Sequence, residues 1–255
     1  MLLKVSGNLI DVTNGFLINL DYYNKLCLVI TRKEFIMNSN KRNFFISMIL
    51  ILIAIMFTLL VKVVDVRQID VNGTSIGFAT INNYVFNTVG VNMIWYYITD
   101  WLGLVPIFMA MFYALIGFIQ LIKRKNIFKV DMEIIILGLF YIVVLFLYLF
   151  FEKFIVNYRP ILIDGILEVS YPSSHTLMTI CLCGSSIIVN KRLFNNKIIK
   201  IMNILSIVII VITVIGRLIS GVHWFTDIIG GVFISMALLM IFYSLVDKIK
   251  NRYQL

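Results

Sequence analysis

The sequence predicts an all-α polytopic membrane protein, a six-transmembrane-helix bundle with an extracytoplasmic active site. Three observations lead there. Of 255 residues, 61% are hydrophobic and only 14% charged, with a mean hydropathy of +0.98; soluble domains average about 45–50% apolar and about 25% charged. Six stretches approach the ~20 apolar residues that cross a bilayer core. The connecting segments alternate between rich and poor in Lys and Arg, as orientation by cytoplasmic basic residues requires. This composition excludes a cytosolic globular protein, a disordered chain and a collagen-like fibre. The three Cys, at 27, 181 and 183, are too few for a disulfide scaffold and lack zinc spacing.

The apolar stretches are residues 44–61, 102–122, 134–151, 176–189, 201–215 and 228–246. The fourth and fifth are short. They reach spanning length only if their helices run on into His175 and Arg217, which puts those polar residues at membrane depth. The net charge of +9 resolves by side. Seventeen of the 22 basic residues fall before the first span, in the 123–133 and 190–200 connections, or after the sixth. Both termini are therefore expected in the cytoplasm, with residues 62–101, 152–175 and 216–227 outside. The charge surplus sets topology and implies no nucleic-acid partner.

The expected organisation is a cytoplasmic N-terminal tail (1–43), a membrane domain (44–247) and a basic cytoplasmic tail (248–255). Met37, followed by Asn-Ser-Asn-Lys-Arg, resembles a natural start, so 1–36 reads as an upstream extension or disordered tail. An ordered cytoplasmic segment with an interfacial piece at 29–35 is the alternative. In the outer segment 65–100, Ile76, Ala79, Tyr84, Phe86, Val89 and Val91 fit either an amphipathic helix on the outer leaflet or a cap packed over the bundle.

Both histidines of the chain lie in outward segments at the ends of spans. Three segments carry the chemistry: Asn157-Tyr158-Arg159-Pro160, Tyr171-Pro172-Ser173-Ser174-His175-Thr176, and Gly216-Arg217 through His223 to Asp227. An arginine fork matches two oxygens of a phosphate, and an arginine at membrane depth calls for an anion or a carboxylate. Ser173 suits the N-cap of the fourth helix, whose first N–H groups then cradle an anion beside His175. His223 and Asp227 are four apart. If the sixth helix begins near Val222 they share a face, and the carboxylate can hold one imidazole nitrogen while the other attacks.

These segments resemble the three-part signature of the type 2 phosphatidic acid phosphatase superfamily of membrane lipid phosphatases: K-x6-R-P, then P-S-G-H, then S-R-x5-H-x3-D. The resemblance covers roughly residues 40–250. It implies a six-helix bundle and a phosphohistidine mechanism without metal or cofactor. Carried over by position, His223 would attack phosphorus, Asp227 would orient it, and His175 would protonate the leaving oxygen and later help activate water. Arg159, Arg217, Ser173 and the Ser174 amide would hold the phosphoryl oxygens. Three positions depart from the pattern. Glu152 stands where the signature lysine belongs, with Lys153 one place late, about 100° around a helix. Ser174 replaces the motif glycine, and Gly216 replaces the motif serine.

The expected function is hydrolysis of a lipid phosphate or diphosphate taken from the outer leaflet. The resemblance favours undecaprenyl diphosphate, then phosphatidic acid or phosphatidylglycerol phosphate. Low Ala and Pro with abundant Ile, Asn and Lys suggest an AT-rich bacterial genome. The competing readings are a catalytically impaired member that binds lipid or a partner, for which Glu152 speaks, and a transporter, which would need more polar residues in mid-span. The sequence does not set the oligomeric state.

Overall fold

The computed structural model describes the backbone of residues 2–5, 8–11, 16–68, 73–194 and 196–253, and the side chains of 39–68, 73–194 and 196–249. Strands β1 (Leu2–Val5), β2 (Asn8–Asp11) and β3 (Phe16–Asn19) form an antiparallel sheet. Helix α1 (Leu20–Val63) then continues without interruption into the first span. The N-terminal segment expected as an extension or tail thus contributes backbone to this sheet and to α1. Its side chains lie outside the described residues.

After the short hairpin β4 (Arg67–Gln68) and β5 (Ser75–Ile76) come α2 (Ala79–Val89), α3 (Met93–Leu102), α4 (Leu104–Arg124) and α5 (Met132–Lys153). The chain closes with α6 (Ser174–Leu193), α7 (Lys197–Ser220) and α8 (Phe225–Tyr253). Among the described residues, five segments are long and apolar enough to cross a membrane: Ser39–Val63, Met93–Arg124, Met132–Lys153, Lys197–Ser220 and Phe225–Ile249. Their outer faces carry exposed apolar side chains such as Leu52, Phe108, Phe146 and Leu205, as a lipid-facing surface does. The protein is a multi-span helical membrane protein.

The difference from six apolar spans lies in α6. This helix is 20 residues long but rich in Ser, Thr, Cys and Asn. It packs against α4, α5, α7 and α8 and is buried along most of its length, so its neighbours rather than lipid set its composition. A Cβ on Gly184 would lie 2.6 Å from Leu239, so the glycine permits the close α6–α8 approach, the small-residue packing common between membrane helices. Deeper in the bundle, Tyr113 Oη donates to Asn190 Oδ1 (2.6 Å), and Asn190 Nδ2 donates to Asn203 Oδ1 (2.8 Å). Such interhelical hydrogen bonds contribute about 0.6 kcal/mol each. Both α6 and α7 extend into the polar motifs and include His175 and Arg217; of the two, α7 is long and apolar enough to count among the five candidate spans.

The segment between α1 and α4 packs as a cap along only one of its faces. Ile76, Ala79 and Asn82 are buried, while Tyr84, Val89 and Val91 are exposed. Asn82 Oδ1 accepts from Thr226 N (3.1 Å), and its Nδ2 donates to Thr226 Oγ1 (2.9 Å), which ties α2 to the start of α8. α3 lies along α7, with Asn92 N donating to Ser220 O (3.0 Å). Gly221 ends α7 at φ 66, and a Cβ there would lie 2.1 Å from Gly90 O. The left-handed cap and the close approach both require glycine.

Candidate active site

Three helix ends converge on the site: the C-terminus of α5, the N-terminus of α6, and the α7–α8 junction. The chain from α5 to α6 is folded by backbone pairing of Tyr158 with Val169 and of Ile163 with Ile166. Asp164 (φ 49) and Gly165 (φ 78) form its turn, the Asp-Gly pair that a tight hairpin with two positive φ values favours. Arg159 N donates to Glu168 O (3.0 Å) and Ser170 N to Asn157 O (2.9 Å). Arg159, Glu168 and Ser170 are thereby set side by side facing α8.

His223 lies in the loop before α8, and Asp227 lies in the first turn of that helix. Direct contact between them was expected from a helix starting near Val222. The helix starts at Phe225, and the link runs instead through Ser170. The Ser170 hydroxyl donates to Asp227 Oδ2 and lies 3.0 Å from His223 Nδ1. Its one proton is committed to the carboxylate, so it accepts from Nδ1–H. That places the ring proton on Nδ1 and leaves Nε2 with a free lone pair. Asp227, fully buried, is held further by Trp224 N (2.9 Å) and Asn157 Nδ2 (2.9 Å). Nε2 of His223 has no protein partner. Burial pushes the His223 imidazole well below its ordinary range, and the positive charges of Arg159 and Arg217 push the same way.

A second linkage comes from α3. Asp100 Oδ1 lies 3.1 Å from His175 Nε2 and 3.2 Å from Arg217 Nη2. His175 Nδ1 has no protein partner. Arg217 is fully buried, with its guanidinium carbon 5.1 Å above the Tyr96 ring centroid. Arg159, also buried, uses Nη2 for Glu168 at 3.0 Å. Nε and Nη1 of both arginines have no protein partner. Buried guanidinium groups with unused donors are costly unless an anion meets them. A cavity of about 500 Å³ lies at this end of the bundle, and Arg159, Ser174, His175 and His223 line it.

The structure therefore gathers His175, His223, Arg159 and Ser174 around one cavity, with Arg217 behind His175 through Asp100 and Asp227 behind His223 through Ser170. Ser173 departs from expectation. It occupies the N-cap position of α6 without a side-chain cap bond; its Oγ accepts from Thr176 Oγ1 (3.1 Å), and it is absent from the cavity lining. Glu152 lines the cavity and Lys153 does not; the rotation of one residue turns the carboxylate inward and the ammonium away. Gly216 has a structural reason: a Cβ there would lie 2.5 Å from Thr99 and 2.9 Å from Trp95. α3 occupies the space a serine would need. Ser170, Asp100 and Glu168 had no place in the motif reading. The Asp164-Gly165 turn is the one local signal that would have brought 168–170 back onto Arg159.

Residues 140–251 match the family model of the PAP2 superfamily. In fold, the chain is similar to the crystal structure of a transmembrane PAP2-type phosphatidylglycerolphosphate phosphatase from Bacillus subtilis, with a TM-score of 0.53 and 18% identity over 80% of this chain and 96% of that one. No curated protein matches the chain by sequence. The matched segment holds all three motifs and every cavity-lining residue except Tyr96, in a helical bundle similar in fold to that of a transmembrane PAP2-type phosphatase.

Proposed function

We propose that the protein is an integral-membrane lipid phosphatase acting through a phosphohistidine on His223. The observation that carries this reading is the unpartnered Nε2 of His223, its proton confined to Nδ1 through Ser170 and Asp227, at a cavity supplied with unused arginine donors. In the first step Nε2 attacks phosphorus and the bond from phosphorus to the lipid oxygen breaks, that oxygen taking a proton from His175. In the second step His175 takes a proton from water, the water oxygen attacks phosphorus, and the P–N bond breaks to free phosphate. Asp100 faces Nε2 of His175, so Nδ1 is the nitrogen that exchanges the proton. Arg159 and the α6 N-terminus meet the charge on the phosphoryl oxygens, Arg217 adds positive charge from behind Asp100 and His175, and the scheme requires no metal.

With α6 counted, the bundle crosses six times. The Lys and Arg distribution then puts both termini in the cytoplasm and the site outside, within reach of the outer leaflet. Candidate substrates are undecaprenyl diphosphate, phosphatidic acid and phosphatidylglycerol phosphate. One observation favours the alternative of a lipid-binding protein with impaired turnover: Glu152 lines the cavity.

Phosphate release from these three lipids by the purified protein in EDTA tests the proposal. Wild type releases phosphate from at least one, and His223→Ala releases none. No release from any lipid overturns the enzyme reading; activity lost in EDTA and restored by metal overturns the metal-free scheme.

A further inference from the structure

We propose that the protein holds an anionic phospholipid at the end of the bundle opposite the catalytic cavity, its phosphate seated between α6 and α7. The Lys and Arg distribution assigns this end to the cytoplasmic leaflet. The site is separate from the chemistry above and does not rest on the phosphatase reading.

A cavity of about 440 Å³ opens where α6 ends and α7 begins. Lys191, Arg192 and Lys200 line it with Asn190, Asn196 and Asn203; among the described residues, no Asp or Glu does. Only 14% of the Arg192 side chain is exposed. Its Nη2 donates to Asp247 Oδ1 (3.0 Å), and its buried Nη1 has no protein partner. Asn190 Oδ1 is taken by Tyr113 Oη, Asn203 Oδ1 by Asn190 Nδ2, and Asn196 Oδ1 by Ile199 N. Asn196 and Asn203 thereby present their amide NH2 groups as donors. The lining offers donors and positive charge, and what it lacks is an acceptor anion.

Sidedness asks for basic residues in this connection. It does not ask for a concave lining free of acids, or for a guanidinium nitrogen buried without a partner, which is costly until an anion meets it. Basic pockets between helix ends on the cytoplasmic side are a recurring seat of anionic lipid head groups. The choice of a lipid over a free anion follows from α7. Residues four apart share a helix face, so Ile207 and Val211 follow Asn203 on the side that lines the cavity, with Ile204 beside them. All three are exposed. A phosphate in the cavity therefore leaves its acyl chains an uncovered apolar track toward mid-membrane. The bound head group joins the ends of α6 and α7, next to the Tyr113–Asn190–Asn203 chain that already ties both helices to α4.

The test titrates phosphatidylglycerol or phosphatidylcholine into the purified protein in neutral detergent, reading the lipid retained by native mass spectrometry and the Tm. Wild type retains phosphatidylglycerol and its Tm rises, as binding to the folded state requires; phosphatidylcholine, whose choline cancels the phosphate charge, gives neither. Lys191→Gln/Lys200→Gln retains about thirtyfold less phosphatidylglycerol, the effect of removing two lysines near a membrane surface. Lys123→Gln/Lys129→Gln removes the same charge from exposed positions outside the cavity and binds as wild type does. Arg192 is kept, because its ion pair with Asp247 also supports the fold. Equal retention of the two lipids by wild type overturns the site, as does retention by Lys191→Gln/Lys200→Gln no lower than by the control pair. A Tm gain from inorganic phosphate alone that Lys191→Gln/Lys200→Gln abolishes gives the cavity to a free anion and overturns the lipid.

Discussion

Oδ1 of Asp100 lies 3.1 Å from Nε2 of His175. The contact joins a helix outside the PAP2 match to a histidine inside it, and the same oxygen also meets Arg217. A carboxylate so placed fixes which nitrogen of His175 faces the cavity and stabilises its protonated form. Asp100→Asn should keep the hydrogen-bonding shape and lose the charge. Steady-state assay should show kcat lower by about 10²-fold, the low end for a compromised general acid, with KM changed much less. An unchanged kcat would remove Asp100 from the acid's support.

Ser170 should matter nearly as much as the residues it connects. Ser170→Ala leaves His223 without its hydroxyl acceptor and removes one of the hydrogen bonds that hold Asp227. The expected cost is about 10² in kcat, comparable to one lost preorganised donor, and about 1–3 kcal/mol of stability from the buried carboxylate. Ser170→Thr restores the hydroxyl and should recover part of both. Wild-type turnover by the alanine variant would show that Asp227 reaches His223 by another route.

The protonation state of His223 is directly measurable. Its imidazole is held below the ordinary value of about 6.5 by burial and by Arg159 and Arg217. A lowered value keeps the neutral, attacking form populated as pH falls through 6.5 and surrenders it only further down. ¹⁵N-histidine spectra of the His175→Asn variant, whose remaining histidine is His223, should show a neutral ring protonated on Nδ1 at pH 6.5. Half-protonation at that pH, or a proton on Nε2, would contradict the geometry.

Gly216→Ser, which reinstates the motif residue, should harm rather than help. The added Cβ meets Thr99 at 2.5 Å and Trp95 at 2.9 Å, so α3 must shift and carry Asp100 with it. Overpacking of this kind costs about 1–3 kcal/mol, visible as a lower Tm in detergent, and activity should fall in parallel. Adding Thr99→Ala should return part of the loss. A serine accepted without cost would mean that α3 yields freely.

Much of this architecture can be read from residue order. Five of the six apolar stretches become candidate spans with ragged ends extended, because a run of Ile, Leu and Phe has one stable place in a bilayer. The positions of His175, His223, Arg159 and Ser174 around one cavity follow from motif order. What sequence could not supply is contact across distant segments. Asp100 lies 75 residues from His175 in the chain, and only the docking of α3 on α7 brings it near. Ser170 sits two residues before Pro172 and looks like any loop serine until the Asp164-Gly165 turn folds it against α8. The relation of His223 to Asp227 turns on where α8 starts: at Phe225 rather than Val222, a difference of three residues that exchanges a direct hydrogen bond for one bridged by Ser170. The side to which Glu152 turned was likewise a question of helix phase, which spacing alone left open.

The polarity of α6 has a consequence for how the molecule is made. Its Ser185, Ser186 and Asn190 are buried against neighbouring helices, and alone in lipid they would lack that company. Two of those neighbours, α7 and α8, are synthesised after it. Asn190 in particular would lack the partners that α4 and α7 supply, so the segment alone should insert weakly. Its stable integration should therefore be completed only when the last two helices arrive, which couples insertion of α6 to assembly of the bundle. Truncation after α7 should leave a chain that spans the membrane poorly, not merely one that lacks a helix.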